Sequence, residues 1–394
     1  MTRVLLRILA AALLLVVSGL IGWRVLAPTE LSATAVEPYP SAPAPAQGVT
    51  SRLNVAPLIV DGRVRVYAAK NQVRADGPVT AEQVYTALWS FRRWPEQLSA
   101  LVASGTTVVS RWSDGKIVAL DGRTGAVVWR ADGPAASGYA GHRTGAATVW
   151  DPPGLRLAAG TVVVTQDQDL AGYDLSTGSA LWKTSVPAGC TDGFTTTGGA
   201  YVCATGAYDV LSGTPISGWP TGPLRPAGCL TSGCAGFRDG AGQGWLATAA
   251  QPRRAPALDD PGATVAAGVI ITGSSSASAS GVSSSSESVA GRSVDGATLW
   301  MTPGPARVLG ESSGTVLLLS PENQLTGVDA RTGAVRFAFP LAMKKDSTDW
   351  KAGLFHVTDG YLAIERLNET GPDDPESPLY YYTIDTVLIA ALPA

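Results

Sequence analysis

Residues 118–129, VALDGRTGAVVW, decide the fold, because the same pattern returns twice along the chain. Residues 171–182 read AGYDLSTGSALW, and residues 326–337 read TGVDARTGAVRF. The segments align without a gap on an aspartate, a threonine, a glycine and a final aromatic residue. These positions are Asp121, Thr124, Gly125 and Trp129; Asp174, Thr177, Gly178 and Trp182; and Asp329, Thr332, Gly333 and Phe337. Such a repeat predicts one small structural unit that is used many times.

Each residue type in the repeat has a physical role. The aspartate can accept backbone N–H groups in the turn that follows its strand. The glycine can take a positive φ in that turn without a steric penalty. The aromatic residue lies on the next strand, where burial of about 200 Å² would stabilise the fold by at most roughly 5 kcal/mol. We therefore expect the aromatic ring to pack flat between neighbouring sheets.

Two weaker copies lie between the second and third clear ones. Gly296 and Trp300 keep the glycine-to-tryptophan spacing in SVDGATLW. Asp209 and Gly213 keep the aspartate-to-glycine spacing in YDVLSG, with Trp219 displaced by two residues. Five copies of one unit cannot each bury both faces alone, so the units are expected to stack around an axis.

The turns upstream of the aspartates support the same unit. In VVSRWSDGKIVALD (108–121), two strand-like runs flank Asp114-Gly115, which is a strong hairpin signal. Asp167-Gln168 and Glu322-Asn323 fall at the equivalent places of the other clear copies. The cluster Asp167-Gln168-Asp169 is therefore interpreted as a hairpin turn, with a calcium site as the alternative.

The spacing of the aromatic residues sets the number of units. Trp89, Trp129, Trp182, Trp219, Trp300 and Phe337 lie 40, 53, 37, 81 and 37 residues apart. A four-stranded blade takes about 40 residues, so the longest gap holds two blades, and the blade near Trp245 lacks the motif. The tail 353–392 can pair with the first strands, LNVAPLIV and RVRVYAA, to close the ring. The chain is predicted to be an all-β, seven- or eight-bladed β-propeller of four-stranded antiparallel blades.

The repeat resembles the pyrroloquinoline-quinone-like (PQQ-like) repeat, Ala-x-Asp-x-x-Thr-Gly-x-x-x-Trp, across most of residues 53–394. A propeller of another repeat class, WD or kelch, is the alternative. The quinoprotein alcohol dehydrogenase-like superfamily includes quinone enzymes and the non-enzymatic BamB propeller of the outer-membrane assembly complex. The resemblance implies that an enzyme of this class would hold a quinone and a calcium ion at the axis, under two adjacent cysteines. The sequence has no Cys-Cys pair, no c-type haem motif and no convincing set of calcium ligands. We therefore expect no catalytic residue, no cofactor and no metal site.

The first 27 residues differ from the rest of the chain. Arg3 and Arg7 precede the apolar run Ile8–Trp23, which predicts a transmembrane signal-anchor helix within residues 1–27. The positive-inside rule places the N-terminus in the cytoplasm and the propeller outside it. A cleaved signal peptide is the alternative, with Ala33-Thr34-Ala35, far from the apolar run, or Val25-Leu26-Ala27, followed by Pro28, as the cleavage triplet, and it exports the same domain. Residues 28–52, rich in proline and alanine, are expected to form a stiff linker before the propeller, residues 53–394.

Four cysteines follow, Cys190, Cys203, Cys229 and Cys234. An even number in an exported domain predicts two disulfides, for which three pairings are possible. Cys190–Cys203 would cross a hairpin and Cys229–Cys234 would close a short loop, so these pairs are favoured. A zinc site that uses all four thiolates is the alternative, although the spacing between Cys190 and Cys203 is too wide for one.

Three other features complete the sequence analysis. His142 and His356 are the two histidines, and each is interpreted as solvated or hydrogen-bonded, since a catalytic triad or metal site needs more support. The stretch GSSSASASGVSSSSESVAG (273–291) interrupts a blade hairpin and is predicted to be a mobile loop, with a partner contact or sugar attachment as alternatives. The net charge of −3 gives no reason to expect a nucleic-acid partner.

These observations favour a membrane-anchored, extracytoplasmic propeller that binds or scaffolds other envelope proteins and does not catalyse a reaction. A quinone-dependent oxidoreductase and a small-ligand sensor that uses the central funnel are the alternatives. The fold by itself does not choose among these functions, because propellers host many of them.

Overall fold

The computed structural model describes residues 11–19, 29–44, 46–141, 144–190, 192–273, 288–343, 350–358, 360–367 and 385–393. Residues 11–19 are helical (α1), and a second short helix, α2, covers Ala146–Trp150. Within these ranges, no helix combines the length and apolar character required to cross a bilayer. The remainder of the predicted anchor segment, residues 1–10 and 20–27, lies outside the described residues, as do His142 and residues 274–287 of the serine-rich stretch.

The described strands form eight antiparallel sheets, which are the blades of a propeller. In six of these sheets, four strands that are consecutive in the chain lie side by side in order. The first strands of neighbouring blades contact one another, so they surround the axis and the fourth strands form the rim. The predicted antiparallel propeller is confirmed, and the ring has eight blades.

The strand bounds follow the chain. β1 covers Thr29–Ala33 and β2 covers Gly48–Leu53. Blade I contains β3 (Pro57–Val60), β4 (Val64–Ala69), β5 (Gln72–Asp76) and β6 (Trp89–Trp94), and blade II contains β7 (Leu98–Ser104), β8 (Thr107–Trp112), β9 (Lys116–Asp121) and β10 (Val127–Asp132). Blade III contains β11 (Leu155–Ala158), β12 (Thr161–Gln166), β13 (Asp169–Asp174) and β14 (Ala180–Ser185), and blade IV contains β15 (Phe194–Thr195), β16 (Ala200–Cys203), β17 (Gly206–Asp209) and β18 (Pro215–Ile216).

The second half of the ring continues in the same way. Blade V contains β19 (Arg225–Leu230), β20 (Gly233–Arg238), β21 (Gly244–Leu246) and β22 (Arg253–Arg254), and a 3₁₀ turn, Pro256–Asp259, follows it. Blade VI contains β23 (Thr264–Ala266), β24 (Val269–Thr272), β25 (Ser288–Arg292) and β26 (Thr298–Pro303), and blade VII contains β27 (Arg307–Ser312), β28 (Thr315–Leu319), β29 (Gln324–Asp329) and β30 (Val335–Pro340). Blade VIII contains β31 (Lys351–Thr358), β32 (Tyr361–Leu367) and β33 (Thr386–Ala391).

The hairpins within the blades form at the polar turns that the sequence indicated. Gly115, Asp167 and Asn323 lie between the second and third strands of blades II, III and VII, with φ of +84°, +51° and +58°. Residue types that tolerate a positive φ are therefore placed where the chain reverses. Asp167 and Gln168 form a turn between β12 and β13, as interpreted from the sequence.

The hydrophobic core is divided among the spaces between blades. Val162, Val164 and Leu157 of blade III pack with Ala100 and Ile117 of blade II. Comparable hydrophobic clusters fill the spaces between the other neighbouring blades, because the inner strands of each blade carry apolar side chains on both faces. This arrangement is the stacking that the repeat requires.

Strands from both ends of the chain close the ring. β2 pairs antiparallel with β33, from Gly48 opposite Ala391 to Leu53 opposite Val387, and becomes the outermost strand of blade VIII. Closure by the two ends was predicted, but the partner of β33 is β2, whereas Pro57–Val60 of LNVAPLIV and Val64–Ala69 of RVRVYAA are strands of blade I. β33 is buried and needs a paired strand on each side, and β32 and β2 supply them.

Part of the predicted linker is built into the propeller. β1 pairs with β6 as a fifth strand of blade I, and β2 belongs to blade VIII. Between them, the half-buried Ala35 and Tyr39 pack against the core of blade I. The stretch expected to be a stiff spacer, residues 28–52, therefore contributes two strands to the propeller and packs Ala35 and Tyr39 on blade I, while Val36 is exposed.

Candidate functional site

The aspartates of the repeat organise the turns before the fourth strands. Asp174 accepts the backbone N–H groups of Ser176 and Thr177 at 3.0 and 2.8 Å. Hydrogen bonds from the Ser176 and Thr177 side chains and backbone hold the pKa of the Asp174 carboxyl below its usual value. The equivalent contacts are Asp121 with Arg123 N, Asp209 with Leu211 N and Ser212 N, and Asp329 with Arg331 N and Thr332 N. These side chains are structural turn residues.

The aromatic residues of the repeat join each blade to the next. Trp129 on β10 donates its indole N–H to the carbonyl oxygen of Leu175 at 2.9 Å, and Leu175 directly follows Asp174. The same bond recurs from Trp89 to Gly122, from Trp182 to Val210 and from Trp300 to Ala330, at 2.8 to 2.9 Å. The sequence predicted the packing of the rings but not this hydrogen bond, whose acceptor is the residue after each aspartate.

The glycines let the indole rings approach closely. Gly178 has φ of +71°, and a Cβ placed on it would lie 2.5 Å from the Trp129 ring. Gly125, Gly213 and Gly333 meet Trp89, Trp182 and Trp300 in the same way. Gly296 has φ of +90° but no atom within 4 Å of such a Cβ, because blade V presents no tryptophan to it. Phe337 keeps the aromatic position on β30, but it lacks an N–H to donate and packs against blade VIII through apolar side chains.

Blades IV and V depart from the repeat. Trp219 follows β18 and donates to the carbonyl oxygen of Ala250 at 3.3 Å, and its ring stacks on Phe237 with centroids 5.6 Å apart. Trp245 does lie in the blade that lacks the motif, but it is on the third strand, β21, and donates to Asp239 at 2.9 Å. It therefore does not end its blade as the other tryptophans do.

A cavity of about 500 Å³ opens at one end of the axis. Its wall is formed by the turns between the first and second strands of several blades. Hydroxyl groups and one carboxylate line it, from Ser104, Thr161, Ser232, Ser312, Thr358 and Glu311. We call this space the axial cavity.

A hairpin tip, a histidine and a tryptophan lie close together beside the axial cavity. The tip of the β19–β20 hairpin, Leu230 and Thr231, reaches from blade V toward blade VIII, where the Thr231 hydroxyl lies 3.0 Å from His356 Nε2. The His356 ring stacks on Trp150 of α2, with centroids 6.5 Å apart and planes 9° from parallel. Trp150 in turn donates its indole N–H to the carbonyl oxygen of Pro57 at 2.9 Å. We call Trp150, Leu230, Thr231 and His356 the axial plug.

The plug divides the axis into two spaces. A second cavity of about 200 Å³ lies on the α2 side and is lined by Val149, Trp150, Phe194 and Phe355. Leu230, Thr231 and His356 belong to the walls of both cavities. Side chains of the protein itself therefore lie between two spaces at the centre of the ring.

His356 is neutral at physiological pH. Burial lowers its pKa to about 4, because the surrounding protein atoms disfavour the charged imidazolium. Its Nδ1 atom is inaccessible and has no hydrogen-bond partner among the residues that the structure describes. The sequence suggested a hydrogen-bonded histidine on a strand, and β31 provides that setting. Its position at the axis had no signal in the sequence.

The walls of the two cavities do not fit a quinone and calcium. Glu311 is the one charged residue in the described wall of the axial cavity. In the smaller cavity, Arg156 and Asp151 neutralise each other at 3.2 Å. In the part of the chain described here, no three His, Cys, Asp or Glu side chains come together. Calcium takes six to eight oxygen ligands and an anionic quinone needs cationic partners, so neither finds its donors here.

The cysteines form the two disulfides that the sequence favoured, Cys190–Cys203 and Cys229–Cys234. The first joins the approach to β15 with the end of β16. The second links directly opposed residues of β19 and β20, just below the Leu230–Thr231 tip. With all four sulfurs paired, the alternative zinc site has no thiolates available.

Comparisons with known proteins agree with the repeat. A family model described as outer membrane protein assembly factor BamB matches residues 29–138 and 86–211. No curated protein matches the sequence. The crystal structure of BamB from Moraxella catarrhalis is similar, with 15% identity, a TM-score of 0.43, and coverage of 89% of this chain and 98% of that chain.

Two further solved structures are similar at the same level. The quinohemoprotein alcohol dehydrogenase ADHIIG from Pseudomonas putida HK5 has 11% identity and a TM-score of 0.44, with 88% of this chain and 76% of that chain covered. The C-terminal WD40 domain of Sif2 has 11% identity and a TM-score of 0.44, with 91% and 99% covered. Similarities at this level do not identify a function. The sequence repeats and the family model matched within residues 29–211 support the assignment of this eight-bladed β-propeller to the PQQ-like repeat superfamily.

Proposed function

We propose that this chain is a membrane-anchored, extracytoplasmic propeller that binds or scaffolds other envelope proteins and has no catalytic activity of its own. The axial plug carries the proposal, because Trp150, Leu230, Thr231 and His356 occupy the position where a quinone enzyme of this superfamily would hold its cofactor. The matched family model, described as an outer membrane protein assembly factor, supports the same class of function.

The proposed location rests on the first residues and on the disulfides. Arg3 and Arg7 precede the apolar run Ile8–Trp23, which supports a signal anchor with a cytoplasmic N-terminus. Two disulfides, Cys190–Cys203 and Cys229–Cys234, support a domain on the oxidising side of the membrane.

The mouth of the axial cavity is the surface proposed to receive a partner. Leu230, in the wall of the axial cavity, is 39% exposed at the tip of a hairpin clamped by a disulfide. Because the tip is rigid, a partner would bind it without a large loss of loop entropy. Loops held in place by a rigid scaffold are typical recognition sites.

A photocrosslinking amino acid at position 230 of the full chain, in native membranes, tests this proposal. Position 211 provides the control, because Leu211 is also exposed, at 58%, but lies on a turn of blade IV outside the axial cavity. We expect a discrete protein adduct from position 230 that is absent at position 211. A monodisperse protein without adducts, purified with a small molecule in the axial cavity, would contradict the proposal.

A small-ligand sensor is the second candidate, and the axial cavity favours it. A volume of about 500 Å³ lies in the range of ligand sites. Glu311 faces this space without an ion-pair partner in the described residues, so a cationic or polyhydroxylated ligand would suit it. A thermal-shift screen of such compounds, with Glu311→Gln as the control, tests the candidate. The absence of any Glu311-dependent shift would count against it.

A quinone-dependent oxidoreductase is the remaining alternative from the sequence. Addition of the quinone and Ca²⁺ to the purified protein should give no cofactor absorbance and no dye reduction, because the walls of both cavities lack the necessary donors. Binding with turnover would overturn the non-catalytic proposal.

A further inference from the structure

β1 extends blade I toward the solvent. It pairs antiparallel with β6, from Thr29 opposite Trp94 to Ala33 opposite Ser90. All five residues of β1 are exposed, so the strand adds almost no buried apolar area. Its contribution is therefore to fix where the chain enters the propeller.

Several contacts hold this entry segment in place. Glu30 pairs with Arg93 of blade I at 3.6 Å and with Arg130 of blade II. Beyond β1, the Ala35 N–H donates to the carbonyl oxygen of Thr124 at 2.9 Å. Exposed ion pairs each stabilise by less than about 1 kcal/mol. Together with the strand ladder, however, these contacts tie the segment to two neighbouring blades.

One face of the extended edge combines apolar, aromatic and cationic side chains. Leu31 lies opposite Arg92, and Thr29 lies opposite Trp94, so the side chains of Leu31, Arg92 and Trp94 share a face. Leu31 is 61% exposed, Trp94 is 36% exposed, and Arg92 is also exposed. Tryptophan favours the membrane–water interface and arginine is attracted to anionic headgroups. We call these three residues the blade I edge patch.

The chain leaves little length between this patch and the apolar run. Only residues 24–28 separate Trp23 from Thr29, and five residues span at most roughly 18 Å. A domain of this size has a radius of gyration of about 20 Å and a diameter of about 50 Å. The tether is therefore too short for the opposite side of the ring to reach a bilayer in which Ile8–Trp23 is inserted.

We infer that the blade I edge patch rests on the lipid headgroups, so that the propeller stands edge-on with its axis parallel to the membrane. This inference rests on the proposed membrane anchor within residues 1–27. The bound partner is the bilayer surface, with Trp94 and Leu31 at the interface and Arg92 beside anionic headgroups. Both ends of the axis then remain open to proteins of the envelope.

Fluorescence quenching by lipids tests the orientation in the full chain. The native cysteines are all paired, so Leu31→Cys and, separately, Met301→Cys would each provide a single free thiol for a bimane label. Met301 is a matched control, because it is 65% exposed on the outermost strand of blade VI, well away from blade I. The labelled proteins are reconstituted in phosphatidylethanolamine and phosphatidylglycerol vesicles that carry a headgroup quencher. We expect several-fold stronger quenching at position 31.

A carbonate wash separates failure of the anchor from failure of the orientation. Protein that stays in the vesicles but is quenched equally at both positions, or more strongly at 301, would overturn the orientation alone. Protein released by the wash would overturn the anchor and the inference together.

A charge reversal adds a second readout. Arg92→Glu should reduce the quenching at position 31 at low salt, because the patch would then repel anionic lipid. Arg253→Glu, on the outer strand of blade V, should leave it unchanged. Equal effects of the two substitutions would show that the patch does not contact the headgroups.

Discussion

At the scale of single residues, the contacts between blades depend on positions without a side chain. Trp182 lies between Gly172 of its own blade and Gly213 of the next, and a Cβ on either glycine would come within 2.5 Å of the ring. Trp300 lies between Gly291 and Gly333 in the same way. The flat indole therefore fills a slot whose width is set by two glycines, and its N–H still reaches a carbonyl group.

Substitution of Gly178 should show how much this close fit contributes. Gly178→Ala adds a Cβ that would clash with Trp129, and the residue must also keep a φ of +71°. Gly160→Ala is the control, because Gly160 has a φ of +74° but no atom within 4 Å of the new Cβ. We expect Gly160→Ala to lower the free energy of unfolding by about 1 kcal/mol and Gly178→Ala by about 2 kcal/mol more. Urea denaturation measures the free energy of unfolding of both variants. Equal losses would contradict the close packing of Gly178 against the Trp129 ring.

The lowered pKa of His356 predicts a dependence of stability on pH. The pKa of His356 is lowered to about 4, below the value of about 6.5 in an unfolded chain. The unfolded state therefore binds more protons between these values, and the native state loses stability as the pH falls from about 6.5 to 4. The loss reaches about 3 kcal/mol.

A variant isolates this effect from other acid-labile groups. His356→Gln should remove the loss of stability between pH 6.5 and 4. It should leave the loss at lower pH unchanged, because that loss comes from the protonation of carboxylates such as Asp329, whose pKa is lowered. Thermal unfolding across this pH range makes the comparison. An unchanged pH profile in the variant would rule out His356 as the source.

At the scale of elements, the β19–β20 hairpin links a surface turn to the axis. The Cys229–Cys234 disulfide lies directly below the tip, and Thr231 at the tip contacts His356. A short covalent loop restricts the tip to few conformations. The environment of His356 therefore depends on a disulfide in a blade three positions away.

Removal of that disulfide should be visible in the titration of His356. The double substitution Cys229→Ser and Cys234→Ser should loosen the tip and raise the pKa of His356 from about 4 toward 6.5, followed by NMR of the imidazole signals. Cys190→Ser with Cys203→Ser is the matched control. The two losses of stability are comparable, about 2 and 3 kcal/mol from loop closure, but the control should leave the His356 titration unchanged. The same shift in both variants would show that the tip does not shield the ring.

The sequence predicted some elements better than others for a physical reason. The turn after Asp121, Asp174 or Asp329 is set by residues within a few positions, so its pattern repeats and can be recognised. The axial plug joins Thr231 to His356, 125 positions apart, through one hydrogen bond that leaves no local pattern. The entry strand β1 was likewise missed, because its pairing depends on a strand, β6, that lies far along the chain.

At the scale of the whole molecule, the last blade is built from two distant parts of the chain. Its outermost strand, β2, comes from near the N-terminus, and its other strands come from the C-terminal end. The aromatic spacing predicted seven or eight blades, and the uncertainty came from blades V and VIII, which lack the full repeat. Blade VIII has no aspartate turn, since its outer strand comes from the other end of the chain. The repeated motif was therefore enough to predict a propeller. The number of blades could not be predicted as well, because it depends on blades that lack the motif.

Two truncations should separate the roles of the first two strands. A chain that starts at residue 34 lacks the first 28 residues and the exposed β1 but keeps β2, and it should keep a cooperative transition with a melting temperature within a few degrees of the parent. A chain that starts at residue 54 also loses β2, which leaves the edge of β33 bare, and it should aggregate or unfold without cooperativity. Calorimetry and size-exclusion chromatography compare them. A monodisperse, cooperative second chain would show that β2 is dispensable for closure.

The pairing of β2 with β33 also has a consequence for biosynthesis. Thr50 donates its hydroxyl to the carbonyl oxygen of Ile389, 339 positions later. During translation, β2 leaves the ribosome long before its partner β33 is synthesised. Each nascent intermediate is therefore an open ring with unpaired strand edges, which can pair with the wrong strand. Only after residues 386–391 are translated can the two ends meet, and the interval before then is when a chaperone would have most to protect.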